Sequence, residues 1–160
     1  MSIVPQVIPA DPRWKARIYP GTLSRMSDVR ADVRTDLAGF DDDLVETVAL
    51  CASEAAANAV EHTCSGEPGG RVLRSLFLTN PGVLRLVLVD DGARETAPRI
   101  PEQRTETEWI TAERGRGLLL IDNLAQTWGT YPVVPFPFCA DLGTAVWAEF
   151  AIPGAGEALR

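Results

Sequence analysis

The sequence predicts an α/β protein, a two-layer sandwich in which one sheet carries a layer of helices. Three observations favour this fold class. Amphipathic helical segments and β-rich segments both recur along the chain. A short turn with proline and glycine joins two β-rich segments, which favours an antiparallel pair. The chain has 160 residues, 46% of them hydrophobic, which is enough for a buried core. We therefore expect a single domain over residues 1–160, with its core at about 14–152.

The core is predicted to begin with a strand and a helix. Alternating residues from Trp14 to Tyr19 indicate the strand, which Pro20-Gly21 ends. Apolar residues spaced by three or four predict a helix from Thr22 to Ala38, and Gly39 suits its C-terminal end. The polar side of this helix carries three arginines, Arg25, Arg30 and Arg34.

A second helix is predicted from Asp41 to Thr63, because three acidic residues at its start can cap free amides and complement the helix dipole. Glu54, Asn58 and His62 recur every fourth residue and therefore project from nearly one side. Most other positions of this helix are small or apolar, so burial is expected to be extensive. Polar side chains on a mostly buried helix require a partner.

The next two strands are predicted at Val72–Thr79 and Val83–Val89, joined by Asn80-Pro81-Gly82. Proline at the first central position and glycine at the second fit a type II turn. Asp90-Asp91-Gly92 follows the second strand, and a long polar segment occupies residues 93–114. A loop of that length inside a compact domain is usually a lid, a binding loop or disordered.

A glycine-rich sequence, Arg114-Gly115-Arg116-Gly117, opens a helical segment over Leu118–Ala125. Two glycines at a helix start let backbone amides approach an anion, and the helix dipole favours negative charge there. We therefore expect phosphate at this helix start. Strand-like segments at Thr127–Val134 and Thr144–Ile152 complete the predicted domain.

Composition disfavours several kinds of partner. The net charge of -7 argues against direct binding to nucleic acid or to an anionic membrane. No apolar segment approaches the roughly 20 residues that span a bilayer, and no signal peptide is evident, so we expect a cytoplasmic protein. Three cysteines and one histidine suggest neither a zinc cluster nor a disulfide framework. Cys51, Cys64 and Cys139 are expected to be core thiols.

Four motifs in order carry a family resemblance: Glu54-x3-Asn58-Ala59-x2-His62, then Asp90-x-Gly92, Gly115-x-Gly117 and Gly143-Thr144. They resemble the N-box and glycine boxes of the GHKL (Bergerat-fold) ATPase and kinase superfamily. Within it, the short chain with an N-terminal strand and helix and a compact lid is most similar to RsbW-type anti-sigma-factor serine/threonine kinases. The resemblance implies a mixed, mainly antiparallel sheet under a helical layer, and a lid at about 93–114.

The resemblance implies a role for each residue of the polar stripe. Asn58 is similar to the residue whose side-chain oxygen binds the Mg²⁺ that bridges the phosphates of ATP, and oxygen suits that hard cation. Glu54 resembles the general base that deprotonates an attacking hydroxyl or water. His62 would lie closer to the phosphates.

The resemblance also implies how the base and phosphates of ATP are bound. Asp90 is similar to the carboxylate that accepts a hydrogen bond from the adenine amino group, and Gly92 lets the backbone pass close to the base. Thr144 would lie near the adenine. Backbone amides around the phosphates, with charge from Arg114 or Arg116, would come from Gly115, Arg116, Gly117 and Leu118.

The chain departs from the family pattern where the lid begins. Family members often have a second glycine two residues after the first, but here Gly92 is followed by Ala93, Arg94 and Glu95. The departure bears on lid closure and catalytic competence more than on adenine binding.

Each site residue also has a structural interpretation that the pattern leaves open. Glu54 could pair with a surface arginine, and Asn58 could serve structure alone. His62 could cap the end of its helix, where a cation is favoured. The Asp90-Asp91-Gly92 segment could be a plain turn, and the Gly115-x-Gly117 motif an ordinary loop.

Two functions of different classes stay open. In the first, the protein is a kinase in which Glu54 activates a hydroxyl on a small anti-anti-sigma (STAS-like) partner, and it also sequesters a sigma factor. In the second, it is a nucleotide-dependent binding module with little or no phosphoryl transfer. A fragment of a sensor histidine kinase fits less well, because the only histidine is His62 within the N-box. ATP or ADP is the expected ligand in each case.

The protein partner is expected to dock on the first helix, whose three arginines suit an acidic surface. The same residues could instead form an ordinary solvated helix face. The resemblance to RsbW-type proteins further suggests a homodimer.

Overall fold

A computed structural model describes residues 13–92, 116–133 and 143–154 of the chain. The predicted lid at about 93–114, together with Arg114, Gly115 and Cys139, lies outside the described residues. The domain boundaries at residues 1 and 160 stay predictions.

The described sheet has five strands in the spatial order β1-β2-β3-β5-β4. Every pairing between neighbouring strands in this described sheet is antiparallel, so the mainly antiparallel sheet is confirmed and no parallel pair is found within it. The strands are β1 (Arg17–Pro20), β2 (Arg71–Asn80), β3 (Val83–Val89), β4 (Thr127–Pro132) and β5 (Thr144–Ala151).

Three α-helices of the described residues form the second layer: α1 (Met26–Asp36), α2 (Asp42–His62) and α3 (Arg116–Leu124). Helix α2 is central, because it packs between α1 and α3 and lies over β2, β3 and β5. This arrangement confirms the predicted two-layer α+β sandwich. None of the described helices is both long and apolar enough to cross a membrane.

The ends of the first two helices follow from their sequence. The segment predicted as one helix from Thr22 begins with a 3-10 turn at Leu23–Arg25, and the α-helix starts at Met26. Gly39 adopts a φ of 96°, a left-handed conformation that suits glycine after a helix. Asp41 caps α2, because its side chain accepts a hydrogen bond from the backbone N–H of Leu44 at 3.0 Å.

Strand β1 is shorter than predicted, since Trp14 does not belong to it. The indole Nε1 of Trp14 donates to the backbone oxygen of Asp36 at 2.7 Å. Its ring also packs against Phe40, with the ring centroids 5.9 Å apart. These contacts draw Trp14 towards the helical layer, so pairing with β2 starts only at Arg17.

The hairpin between β2 and β3 is confirmed, but the predicted type II turn is wrong. A type II turn requires a positive φ at the second central residue. Gly82 is not among the glycines of the described chain with positive φ. Instead, the side-chain oxygen of Asn80 accepts the N–H of Gly82 at 2.8 Å and shapes the turn locally.

The core lies between the sheet and the helices. Alternate residues of the strands face the helical layer, as the period of two requires. Cys51 is fully buried there, whereas Cys64 is only half-buried, so the prediction of a core thiol holds for Cys51 and not for Cys64. The buried strand residues of this core are Val72, Leu76, Leu84, Leu86, Leu88, Ala148 and Phe150.

A buried ion-pair network fixes α1 on the sheet. The side chain of Arg74 on β2 is fully buried, and its Nη2 donates to Asp36 Oδ2 at 2.5 Å. Arg17 on β1 donates to the same carboxylate, with 2.7 Å between Nη2 and Oδ1. Burial acts to raise the pKa of Asp36, but the two arginines outweigh it and hold that pKa below its usual value.

Replacement of Asp36 by alanine is expected to destabilise the protein by about 3 kcal/mol, because Arg74 would keep its buried charge without a partner. Urea unfolding measures this loss. Glu46→Gln is the matched control: Glu46 pairs with Arg34 at 2.9 Å on the exposed side of the helices, where ion pairs contribute little. A loss for Asp36→Ala no larger than that of the control would contradict this role.

The same network makes the stability of the fold depend on pH. A carboxyl group whose folded pKa is depressed stabilises the fold above its unfolded pKa of about 3.9. That contribution is lost as the pH falls through the folded pKa of Asp36. The stability difference between wild type and Asp36→Ala should therefore be full at neutral pH and shrink only below about pH 4.

Candidate functional site

Helix α2 presents its three functional side chains along a single half-buried line. Glu54, Asn58 and His62 are half-buried, whereas most of their neighbours in the second half of α2 are buried. Their four-residue spacing puts them on successive turns, and Glu54 lies about 12 Å along the axis from His62. The predicted polar stripe is therefore present and open to a ligand.

Two members of the stripe have unused hydrogen-bonding groups. Neither Glu54 nor Asn58 makes a side-chain hydrogen bond or ion pair with any residue in the described part of the chain. The surface arginine proposed as a partner for Glu54 is thus not found there. An asparagine in the interior of a helix, half-buried and without a partner in that part of the chain, suits contact with a ligand.

His62 has a different environment. It lies in the last turn of α2, and its Nε2 is 3.7 Å from Oε2 of the adjacent Glu61. A histidine at a helix C-terminus interacts favourably with the dipole when protonated. The structural interpretation of His62 as a helix-end residue therefore stays open.

Asp90 follows β3, and backbone groups hold its carboxylate in place. Its Oδ1 accepts the N–H of Gly92 at 2.8 Å and the N–H of Thr144 at 3.0 Å. The first of these bonds is the local turn that the structural interpretation anticipated. The other oxygen, Oδ2, accepts no hydrogen bond from the described residues, so one acceptor of a fixed carboxylate remains available.

Burial raises the pKa of Asp90 above its ordinary value. The two backbone N–H groups oppose that shift, because they stabilise the ionised form, and the neighbouring Asp91 adds to it. A partly desolvated carboxylate of this kind gains most from a ligand that donates a hydrogen bond.

Two glycines allow the backbone to close around Asp90. Gly92 adopts a φ of 96°, which other residues rarely take. A Cβ on Gly143 would lie 2.1 Å from Gly92 Cα and 2.4 Å from Asp90 Oδ1. Only a residue without a side chain fits at position 143, and the sequence motif Gly143-Thr144 already pointed to it.

Residues beyond the predicted set connect the end of α2 to the Asp90 segment. The N–H of Cys64 donates to the carbonyl oxygen of Gly92 at 2.8 Å. The N–H of Asp91 donates to Ser65 Oγ at 3.0 Å, and the Asp91 carboxylate accepts the N–H of Arg71 at 2.5 Å. No pattern around Ser65 indicated this contact, because it joins segments 26 residues apart.

Helix α3 packs beside α2 and carries Gly117 of the glycine motif in its first turn. It begins at Arg116, two residues before the predicted start, so Arg116, Gly117 and Leu118 form its first turn. Backbone N–H groups in a first turn have no carbonyl partner within the helix and can bind an anion. The side chain of Leu118 is buried in the core, which anchors this turn against the domain.

The site does not coincide with the open groove of about 650 Å³ that lies at the corner of the sheet. That groove lies between the end of β1 and the segment Gly66–Arg71 and contains none of the predicted site residues. The perturbed carboxylate of Asp90 and the polar side chains on α2 favour the predicted location over this surface groove, so that location remains the candidate site.

The donor set on α2 fits a magnesium ion held mainly by phosphates. No group of three or more His, Cys, Asp or Glu residues suited to a metal is found within the described residues. Mg²⁺ commonly takes only one or two protein ligands, with water and substrate phosphates completing the shell. The free amide oxygen of Asn58 can supply such a ligand.

Comparison with protein-family models gives a match to the histidine kinase-like ATPase domain over residues 19–132. No curated protein gives a significant match. The matched range contains α2, the Asp90 segment and α3, and confirms the resemblance to the GHKL superfamily; Thr144 lies beyond it. An ATPase domain implies that the nucleotide bound is ATP. The chain therefore belongs to the histidine kinase-like ATPase domain family, an ATP-binding class of protein.

Proposed function

We propose that this protein is a Mg²⁺-dependent protein serine/threonine kinase of the RsbW-like kind. It phosphorylates a small anti-anti-sigma (STAS-like) partner and sequesters a sigma factor. The observation that carries the proposal is the carboxylate of Glu54, one helical turn before the amide of Asn58, because neither side chain has a partner among the residues that the structure describes. Binding alone requires no base at that position, whereas transfer to a hydroxyl does.

Asp90 selects the base in this proposal. Its Oδ2 accepts a hydrogen bond from the amino group of adenine, while Oδ1 keeps its hydrogen bonds from the backbone N–H groups of Gly92 and Thr144. Guanine presents a carbonyl oxygen at the equivalent position and would face the carboxylate with a second acceptor, which disfavours it. Gly92 and Gly143 keep side chains out of the space beside the carboxylate.

The phosphates are bound between α2 and the start of α3. Asn58 would be the protein ligand of the cation, and His62 would lie nearer than Asn58 to the phosphates. When bound, Mg²⁺ neutralises charge on the phosphate oxygens. The N–H groups of Arg116, Gly117 and Leu118, with Gly115 before them, bind the phosphates, and Arg114 or Arg116 adds positive charge.

Glu54 is the general base. It accepts the proton of a serine or threonine hydroxyl on the partner while the hydroxyl oxygen forms its bond to the γ-phosphorus. The bond from that phosphorus to the β-phosphate oxygen breaks, and ADP leaves with the electron pair. A positioned base of this kind contributes about 10²- to 10⁴-fold in rate.

The partner surface on α1 is less basic than the sequence pattern predicts. Arg25 pairs with Asp28 at 3.1 Å, and Arg34 pairs with Glu46 at 2.9 Å. Among the described residues, Arg30 alone of the three arginines has no ion pair on this surface. We therefore propose that α1 recognises its partner by mixed charges, and that a homodimer is the working assembly.

The second candidate function is a nucleotide-dependent binding module without phosphoryl transfer. Ala93 to Glu95 supply no second glycine after Gly92, and that departure at the start of the lid favours it. Adenine binding by Asp90 and cation binding by Asn58 are common to both functions. Only the role of Glu54 distinguishes the kinase from the binding module.

Asp90→Asn is expected to weaken ATP binding at least 100-fold without loss of fold. The amide oxygen of asparagine can still accept the N–H groups of Gly92 and Thr144, but its NH₂ group would face the adenine amino group, donor to donor. Calorimetry with ATP and GTP measures the change, and the preference for ATP over GTP should disappear. Asp28→Asn, an exposed change on α1, is the control, and ATP binding at wild-type affinity in Asp90→Asn would refute the assignment.

Asn58→Ala is expected to weaken Mg-ATP binding severely, by about 100-fold, while adenosine binding changes little, because adenosine carries no phosphate to hold the cation. The fold should be preserved, since alanine is the better helix former by about half a kcal/mol. Titrations with Mg-ATP and with adenosine separate the two effects. Equal losses for both ligands would place Asn58 outside the cation site.

Glu54→Gln is expected to abolish transfer of labelled phosphate from ATP to the partner while ATP affinity stays within about threefold of wild type. Glu61→Gln, an exposed change one turn beyond Asn58, serves as the control. Labelling of a STAS-like protein by wild type and Glu61→Gln, but not by Glu54→Gln, supports the kinase. Tight partner binding with no labelling by wild type would favour the binding module.

A further inference from the structure

Ser65 lies between the two halves of the site and belongs to neither. It is fully buried in the short turn after α2, and its Oγ accepts the N–H of Asp91 at 3.0 Å. Its own N–H donates to Thr63 Oγ1 at 3.0 Å. The hydroxyl therefore connects the end of α2 to the residue that follows Asp90.

A second hydrogen bond runs parallel to the first. Cys64 donates its N–H to the carbonyl oxygen of Gly92 at 2.8 Å. Two consecutive residues after α2 thus hold Asp91 and Gly92 from one side. From the other side, Thr144 and Gly143 at the start of β5 hold Asp90 through backbone hydrogen bonds of 3.1 and 3.0 Å.

The backbone at Ser65 has little room to move. A Cβ on Gly21 would lie 1.5 Å from the carbonyl oxygen of Ser65, and a Cβ on Gly70 would lie 2.1 Å from it. Two glycine backbones therefore pack directly against this carbonyl, on segments before α1 and before β2. Because Ser65 is enclosed in this way, it holds the Asp91 N–H that binds its hydroxyl in one place.

We propose that Ser65 is a positioning residue that sets the distance between Asp90, at the base end of the nucleotide, and Asn58, at the phosphate end. The inference rests on the proposed use of these two residues. Asn58 lies on α2, which ends at His62, and the hydrogen bond from the Ser65 N–H to Thr63 Oγ1 holds Ser65 against the end of that helix. The hydrogen bond from the Asp91 N–H to Ser65 Oγ then holds the Asp90 segment at a set distance from α2.

If Ser65 positions Asp90, its loss should change the preference for ATP over GTP. The loss of a serine that only stabilises the fold should not. Without the hydroxyl, the buried N–H of Asp91 has no acceptor, and the Asp90 segment shifts relative to α2. ATP loses its hydrogen bond to Asp90 or its fit at Asn58. GTP makes no favourable bond to that carboxylate, so its weaker binding is affected far less.

The test compares Ser65→Ala with Ser53→Ala. Ser53 is a buried serine within α2 whose hydroxyl donates to the backbone oxygen of Leu50 at 3.1 Å, away from the Asp90 segment. Calorimetry of each variant with ATP and GTP is expected to show about tenfold weaker ATP binding and a roughly tenfold smaller ATP preference for Ser65→Ala only. Thermal unfolding of the nucleotide-free proteins reports any general loss of stability.

An unchanged ATP-to-GTP ratio in Ser65→Ala, or an equal fall in Ser53→Ala, overturns the inference. If Ser65→Ala shows no cooperative unfolding, amide exchange of Asp91 in the wild-type protein decides: ATP is expected to slow it, and unchanged exchange overturns the role. Failure of wild-type protein to bind ATP would instead overturn the proposed use of Asp90 and Asn58, so the two failures are distinguishable.

Discussion

The arrangement of the site depends on the contact between the end of α2 and the segment after β3. Two hydrogen bonds, from Cys64 to Gly92 and from Asp91 to Ser65, join a helix that carries three functional side chains to a strand end that carries a fourth. Helix and strand are stiff elements, so two bonds at their ends are enough to fix the side chains relative to one another. The groups on α2 and at Asp90 therefore form one preorganised surface rather than two independent ones.

Charge burial has opposite consequences at two places in the domain. At Asp36, two arginines surround the carboxylate and lower its pKa, so the charge is compensated and fixes α1 on the sheet. At Asp90, burial raises the pKa, and only two backbone N–H groups offset it. Among the described residues, no side chain donates a hydrogen bond to the Asp90 carboxylate. A ligand that donates a hydrogen bond would compensate its charge, which is why a half-buried carboxylate of this kind indicates a candidate site.

The sequence predicted the helices and strands better than it predicted contacts between distant segments. Periodicity located α2 and β3 almost to the residue, and the spacing of Glu54, Asn58 and His62 placed them on one side of a helix. The turn at Gly82 was predicted wrongly, because residue preferences did not include the side chain of Asn80. The pair of Arg74 with Asp36 and the bond to Ser65 join residues 38 and 26 positions apart. Such contacts depend on how the layers stack, which no local pattern encodes.

Under the proposed function, the same geometry would make nucleotide binding and phosphoryl transfer separable. Asp90 is fixed by hydrogen bonds in the protein without ligand, so the proposed recognition of adenine would be preorganised. Glu54 has no partner among the described residues that would orient its carboxylate. A general base acts only within hydrogen-bond reach of the proton that it removes. In the proposed kinase, the docked hydroxyl of a partner would therefore complete the geometry at Glu54, so that phosphoryl transfer would depend on the correct partner while nucleotide binding would not.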